Sequence, residues 1–303
     1  MQTVIGIPTY RRPEQLARLL ASLVPEIDGH DVHVIVADND AGAEAPAVVA
    51  DSGLAALCVP VPEPGLSAVR NELIRTATHS RPGWTHLVML DDDGRVRPGW
   101  FAALLEGISR YDGDVTAGPV IGELPPDASL LARNSLYAGR RRHESGPVDM
   151  LNGAQNIAVA RRIVDRIGDP WFPPHLGRAG GEDHYLFRTV LELGGTLVWC
   201  DDAAVTEPTP ANRLTSSAIL RRAFRSNLVG SQTDLAFQGP ARVARRLAVD
   251  TGWFVRKVVA GVVHRDPNRL ASATIDAVCL AGRATGMIRR STPSGGHAGG
   301  TQT

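Results

Sequence analysis

The chain is short of cysteine, of net charge and of long apolar runs, and each shortage excludes a class of protein. Cys58, Cys200 and Cys279 are the three cysteines among 303 residues. Widely spaced and odd in number, they form neither a disulfide framework nor a metal motif, and they fit free thiols in a reducing compartment. Lysine plus arginine equals aspartate plus glutamate, 32 against 32. No overall basic field therefore draws in nucleic acid, and any cationic surface must be local. The most apolar late segment, LAVDTGWFVRKVVAGVVH, is broken by Asp250, Arg256 and Lys257 and does not predict a membrane span. At the start, MQTVIGIPTYRR puts an apolar run ahead of a basic pair, the reverse of a secretory signal, which predicts a cytoplasmic protein. What remains, 43% hydrophobic and 21% charged, is the composition of a globular chain rather than a disordered or fibrous one.

Short β-branched runs alternate with segments of helical period: TVIGI then PEQLARLLASL, VHVIVAD then a small-residue helix, LCVPV then LSAVRNELIRTA, THLVMLDDD then PGWFAALLEGI. The alternation predicts an α/β fold of crossover units, a mainly parallel sheet flanked by helices on both faces. Such sheets bind ligands at the carboxyl ends of their strands, which is where PTYRR, ADND and LDDDG fall. A basic stretch at Arg140, Arg141 and Arg142 and a second apolar run, MLNGAQNIAVA, follow. A helix from GGEDHYLFRTVLEL and a strand TLVWCDDAAV then close a domain over 1–212. Arg-rich segments with apolar faces, RLTSSAILRRAFRSNLVG and ARRLAVDTGWFVRKVVAGVV, predict a helical extension over 213–290. The tail 291–303 has no apolar anchor and is expected to be disordered.

The three carboxylates of LDDDG concentrate charge at a sheet edge, which is costly unless a cation or donor-rich ligand is present. Oxygen-only ligands select Mg²⁺ or Mn²⁺, usually shared with substrate phosphates; the alternative is an Asp-rich turn capping the next helix. Glu182 and Asp183 follow Gly180 and Gly181 at a helix start. Carboxylates there can simply complement the helix dipole, or one of them can act as a general base on a substrate hydroxyl. Asp38 and Asn39 end the second strand and Pro8, Thr9 and Tyr10 the first. They can hydrogen-bond and stack on a nucleoside, or make turns. Arg70, one turn into the helix of PGLSAVRN, is either a diphosphate clamp or a solvated surface arginine.

The order PTYRRPEQL, ADND, PGLSAVRN, LDDDG, NGAQNIAV and GGED resembles the family 2 glycosyltransferases, inverting sugar-nucleotide enzymes of the GT-A fold, over residues 3 to about 210. VTEPTPANRLT, followed by Arg221, Arg222 and Arg225, is similar to bacterial exopolysaccharide enzymes of the succinoglycan type. The resemblance implies donor binding by Pro8, Tyr10, Arg12, Asp38, Asn39, Arg70, Asp91 and Asp92, and a metal on Asp93 with Asp91. It implies a base at Asp183, with Glu182 as the alternative or as an acceptor ligand. Glu207 stands where many relatives carry a metal- or diphosphate-binding histidine.

On this reading a nucleoside diphosphate leaves, stabilised by Mg²⁺ or Mn²⁺, while Asp183 deprotonates the acceptor from the opposite face, giving an inverted product. Asn152, Gly153 and Gln155 line a sugar or acceptor pocket or form a polar turn. Trp171 is a sugar platform or a hydrophobic plug. The expected donor is a UDP-sugar, with dTDP or GDP as alternatives; the acceptor is a saccharide, a lipid-linked group or a small molecule. The C-terminal helices face the inner membrane surface, the catalytic domain or a second subunit. Two other functions compete. A sugar nucleotidyltransferase needs a Gly-rich phosphate loop after the first strand, which PTYRRPEQ lacks, and a catalytically silent sugar-nucleotide scaffold would bind donor without turnover.

Overall fold

The computed structural model describes residues 1–40, 44–139, 142–177 and 180–289. Arg140, Arg141 and the tail lie outside the described residues. The first half alternates as its sequence predicts: β1 (Thr3–Thr9), α1 (Pro13–Ile27), β2 (Val32–Asp38), α2 (Glu44–Asp51), β3 (Ala56–Pro60), α3 (Leu66–Ser80) and β4 (His86–Leu90). A two-residue β5 (Arg95–Val96), α4 (Trp100–Tyr111), β6 (Val115–Ala117), β7 (Val120–Glu123), a short α5 (Leu130–Arg133) and β8 (Gly146–Pro147) come next. The domain is completed by β9 (Asn156–Ala160), α6 (Arg161–Ile167), α7 (Glu182–Glu192), β10 (Leu197–Trp199) and β11 (Val205–Pro208). Two long helices, α8 (Ser216–Val263) and α9 (Pro267–Ile288), end the described chain.

Eight strands form one sheet in the order β3-β2-β1-β4-β9-β6-β10-β8. β1 runs parallel to β2 and β4, and β2 to β3. Alternation along the strands explains the two-sided burial. Val4, Ile35, Ala37, Leu87 and Met89 point to one face, where α3, α6 and α7 cover them with Leu73, Ile163 and Phe187. Ile5, Ile7, Val34, Val36, Val88 and Leu90 point to the other, under Leu16 and Leu20 of α1 and Trp100 and Leu104 of α4. Strands sealed on both sides read as unbroken apolar runs, which is why they were visible in the sequence.

Two features depart from the expected pattern. The run MLNGAQNIAVA supplies β9, which is antiparallel to both β4 and β6, so its amino end, not its carboxyl end, reaches the ligand edge. TLVWCDDAAV is not one strand: Asp201 and Asp202 make a turn between β10 and β11, and β11 leaves to join a second sheet, β5-β11-β7. Asp201 accepts the Trp199 indole N–H and Arg142, contacts that hold the turn.

Asp114 fastens the sheet to its helices. It accepts the Nε–H of Arg162 on α6 at 2.7 Å and the backbone N–H of Thr196, before β10, at 2.9 Å. Burial raises its carboxyl, but Arg162 and Thr196 outweigh that and hold it below the ordinary carboxylate range. A depressed folded-state value stabilises above the unfolded value of about 4 and is lost as pH falls through the folded one. Asp114→Asn should lower stability near pH 7 by about 2 kcal/mol. It should also flatten the fall in melting temperature between neutral pH and pH below about 4, measured by calorimetry; an unchanged acid limb would contradict the assignment.

The helical extension is a hairpin. Thr215 caps α8 by accepting the Ala218 N–H. Gly239, at φ 75°, and Pro240 kink α8 midway, because that backbone is non-helical and proline offers no N–H. Asp266 caps α9 through the N–H groups of Asn268 and Arg269. The two helices pack on each other, α8 also on α7 and α9 on α5.

Candidate active site

At the carboxyl edge of the sheet lies an open cleft of about 2070 Å³. β1 delivers Pro8, Thr9, Tyr10 and Arg12 to it, β2 delivers Asn39 and Asp40, and β4 delivers Asp91, Asp92 and Asp93. The inverted direction of β9 brings the loop of Asn152, Gly153 and Gln155 to the same edge. Glu182 and Asp183 at the start of α7, Glu207 of β11, Arg213 and one side of α8 also line it.

The three aspartates have different partners. Asp92 is buried, taking the Thr9 hydroxyl at 2.8 Å and Arg12 at 2.9 Å. Asp93 is reached by Arg12 at 3.0 Å and Arg213 at 3.8 Å, and Arg213 also pairs with Glu207 at 3.4 Å. Asp91 is held by Arg70 at 3.3 Å. Burial pushes Asp91 up to about 7 against the pull of Arg70, with Asp93, Asp92 and Glu207 adding to the rise. Carboxylates gathered beyond what the nearby arginines neutralise suit a divalent cation. Among the described residues no three histidine, cysteine or acidic side chains are placed to hold one alone. A pair of hard carboxylates completed by phosphate oxygens is the arrangement Mg²⁺ and Mn²⁺ favour. The chemistry of this acidic corner is therefore compatible with such an ion.

Arg70 corrects one expectation. It is 2% exposed, stacks over Phe172 and donates to Glu182 at 2.7 Å as well as to Asp91. It is a strut between the aspartate segment and α7, not a free diphosphate clamp. Glu182 lines the same cleft but is buried, with its carboxylate engaged by Arg70. Burial pushes its carboxyl up, against Arg70 and with the help of Asp183.

Asp183 is the more open member of the acidic pair, lines the cleft, and accepts the His184 N–H at 2.7 Å. Its position depends on Gly181, whose φ of 92° is left-handed and whose missing Cβ would stand 2.6 Å from Val229 of α8. The hairpin thus presses directly on the turn that carries Asp183.

Asn39 is spent on structure and shape, donating to the carbonyls of Val61 and Glu63 and accepting the Gly65 N–H. Asp38 is buried and accepts the Asp40 N–H, so Asn39 and Asp40 are what ADND shows to the cleft. Tyr10 stands 51% exposed at the rim, with the Arg11 guanidinium over its ring at 5.1 Å. Trp171 is in the core with its indole N–H on the Val164 carbonyl; it is the hydrophobic plug, not a sugar platform.

Sequence reasoning gave no role to Arg213 or Asp234. Arg213 could have been noticed in the quoted ANRLT segment. Asp234 carried no signal: its partners, His184 and Arg188 at 2.7 Å each, are some 50 residues away on α7. Burial raises Asp234, but those two partners outweigh it and keep the carboxyl low. It locks α8 to the helix that bears Asp183.

A curated relative, the succinoglycan biosynthesis protein ExoM of Rhizobium meliloti (strain 1021), is 34% identical over 234 residues, covering 73% of this chain and 72% of that protein. Two solved structures share the fold. The mannosyltransferase PcManGT from Pyrobaculum calidifontis, in complex with GDP-Man and Mn²⁺, superposes with a TM-score of 0.61 at 15% identity, over 94% of this chain and 86% of that one. S. aureus TarS 1-349 in complex with UDP gives 0.53 at 14% identity, over 91% and 90%. The model of the family "Glycosyl transferase family 2" matches residues 4–167, the stretch that holds β1 through α6 and the Asp91–Asp93 segment. Sequence, fold and relatives agree: the chain belongs to glycosyl transferase family 2 and is a glycosyltransferase.

Proposed function

We propose that the protein is an inverting, metal-dependent glycosyltransferase that moves a sugar from a nucleoside-diphosphate sugar to a hydroxyl acceptor. One observation carries this reading: Asp91, Asp93 and Asp183 face a single cleft, and Arg70 touches both acidic segments at once. The donor's diphosphate belongs at Asp91 and Asp93, where Mg²⁺ or Mn²⁺ would neutralise the charge that develops on the leaving group. Its nucleoside belongs along Pro8, Tyr10, Arg12, Asn39 and Asp40, with Tyr10 as the stacking face. UDP is the favoured base, and dTDP or GDP are alternatives; the relatives bound to GDP-Man with Mn²⁺ and to UDP support a nucleotide donor.

Asp183 takes the acceptor proton. An acceptor hydroxyl activated there would attack the anomeric carbon from the side away from the diphosphate, which inverts the configuration. Asn152, Gly153 and Gln155 line the same cleft and would fix the sugar hydroxyls. The acceptor is a saccharide, lipid-linked or small-molecule hydroxyl.

Thermal denaturation against UDP, dTDP and GDP sugars tests the binding half. A matching donor at a hundredfold excess over its Kd stabilises by about 2.7 kcal/mol, roughly 5 °C for a chain of this size. The shift should require Mg²⁺ or Mn²⁺ and should vanish in Asp93→Ala. A full shift in the presence of EDTA, or in Asp93→Ala, would reject the metal site.

A further inference from the structure

Beyond its kink, α8 carries a face that the fold leaves uncovered. The inner side of this half is occupied: Val243 and Gly261 are buried, Asp250 pairs with Arg283, and Lys257 with Asp276. The outer side shows Val249, Trp253, Val255, Val259, Val262 and Val263, each between 52% and 69% exposed. They spread over the outer half of the helix circumference, with Arg245 and Arg256 among them. Six large apolar side chains exposed on one half-helix are more than scattered surface exposure needs.

The charges on this face are all of one sign. Arg242, Arg245 and Arg256 are exposed, and Arg256 lies over the Trp253 ring at 5.4 Å. Between residues 240 and 265 the acidic residue is Asp250, turned inward onto Arg283. A helix face of exposed valines and a tryptophan interspersed with arginine, and with no acidic residue outward, is suited to the boundary between headgroups and acyl chains. Its cations select anionic lipid. No helix among the described residues is long and apolar enough to cross a membrane, so the helix would lie in the surface rather than span it. A second copy fits less well, because two-fold pairing of this face sets arginine against arginine.

We propose that the outer face of residues 240–263 adsorbs to an anionic lipid bilayer, with Trp253 and the valines at the headgroup boundary and Arg242, Arg245 and Arg256 on the headgroups. The first half of the same helix walls the cleft through Arg221, Arg225 and Asp234. Adsorption would thus hold the cleft within roughly 35 Å of the bilayer, the length of the outer half of the helix. Adsorption belongs to the hairpin alone, so its failure would leave the chemistry of the cleft untouched.

The full chain should co-sediment with vesicles of phosphatidylcholine mixed with phosphatidylglycerol and stay in solution with phosphatidylcholine alone. Trp84, Trp100, Trp171 and Trp199 are buried, so a blue shift of tryptophan emission on binding reports Trp253. The double variant Trp253→Glu/Val259→Glu alters exposed positions outside the cleft. It should melt as wild type does and bind the anionic vesicles at least about tenfold more weakly. Arg242→Gln/Arg245→Gln should lose about fivefold per arginine. Equal binding to neutral vesicles, undiminished binding of the glutamate variant, or no binding to either vesicle would overturn the proposal. A concentration-dependent dimer that the glutamate variant abolishes, without lipid binding, would instead assign the face to a second copy and overturn it equally.

Discussion

Asp183→Asn should reduce sugar transfer by roughly a thousandfold, within the range a positioned general base contributes, while donor affinity stays within about twofold. The asparagine keeps the shape and can still accept the His184 N–H that Asp183 accepts at 2.7 Å; what it loses is the capacity to take a proton. Because the diphosphate and nucleoside contacts are assigned to other residues of the cleft, Asp91, Asp93 and the β1 and β2 ends, binding and turnover should separate cleanly. Glu182→Gln offers the contrast. Glu182 is tied up by Arg70, so its substitution should act through stability first. Calorimetry for donor binding and a discontinuous assay of transfer and of slow donor hydrolysis would check both. Wild-type turnover in Asp183→Asn would reject the base, and a wild-type enzyme that binds donor but never turns it over would favour a silent scaffold.

The second large effect is on folding. Arg70→Met should destabilise by about 3 to 5 kcal/mol, the range for removing one partner of a buried ion pair, and lower the melting temperature by roughly 5 to 9 °C. Arg70 is almost fully enclosed, and its two terminal nitrogens serve different carboxylates on segments far apart in sequence. Methionine fills much of the space but leaves Glu182 buried and unpaired, and Asp91 without its counter-ion. Arg70→Lys should rescue little, since one ammonium on a flexible stem does not reproduce a fork that spans two acceptors. Thermal melts of both variants test this; a wild-type melting temperature in Arg70→Met would mean the strut carries no weight.

Much of the cleft was readable because a parallel sheet places all its strand ends on one edge, so TYRR, ADND and LDDDG had to meet once the alternation was recognised. Asp183 joined them for a similar reason: a Gly-Gly before an acidic helix start marks a turn, although which wall it faced was not written in the spacing. Partnerships across the sequence were not readable. Arg70 looked like a ligand-facing arginine because its helix position suits anions, yet Glu182 lies 112 residues away and only the folded chain shows that it claims the guanidinium. Trp171 and Asp38 each leave two readings open in the sequence, since a tryptophan or aspartate in a loop gives no hint of whether a carbonyl or an N–H waits behind it. The break in TLVWCDDAAV was masked by apolar residues on both sides of the turn. Hydropathy predicts two helices after Pro210, and the structure has two helical segments there, parted at Gly239, whose φ of 75° is not helical.

Crystals grown with Mn²⁺ and a nucleoside diphosphate give the most direct measurement, an anomalous difference map at the manganese edge. The expected result is one strong peak coordinated by Asp93 and Asp91 and by the diphosphate oxygens, with the Asp183 carboxylate facing it across the same cleft. A peak elsewhere, or a nucleotide bound outside that cleft, would contradict it.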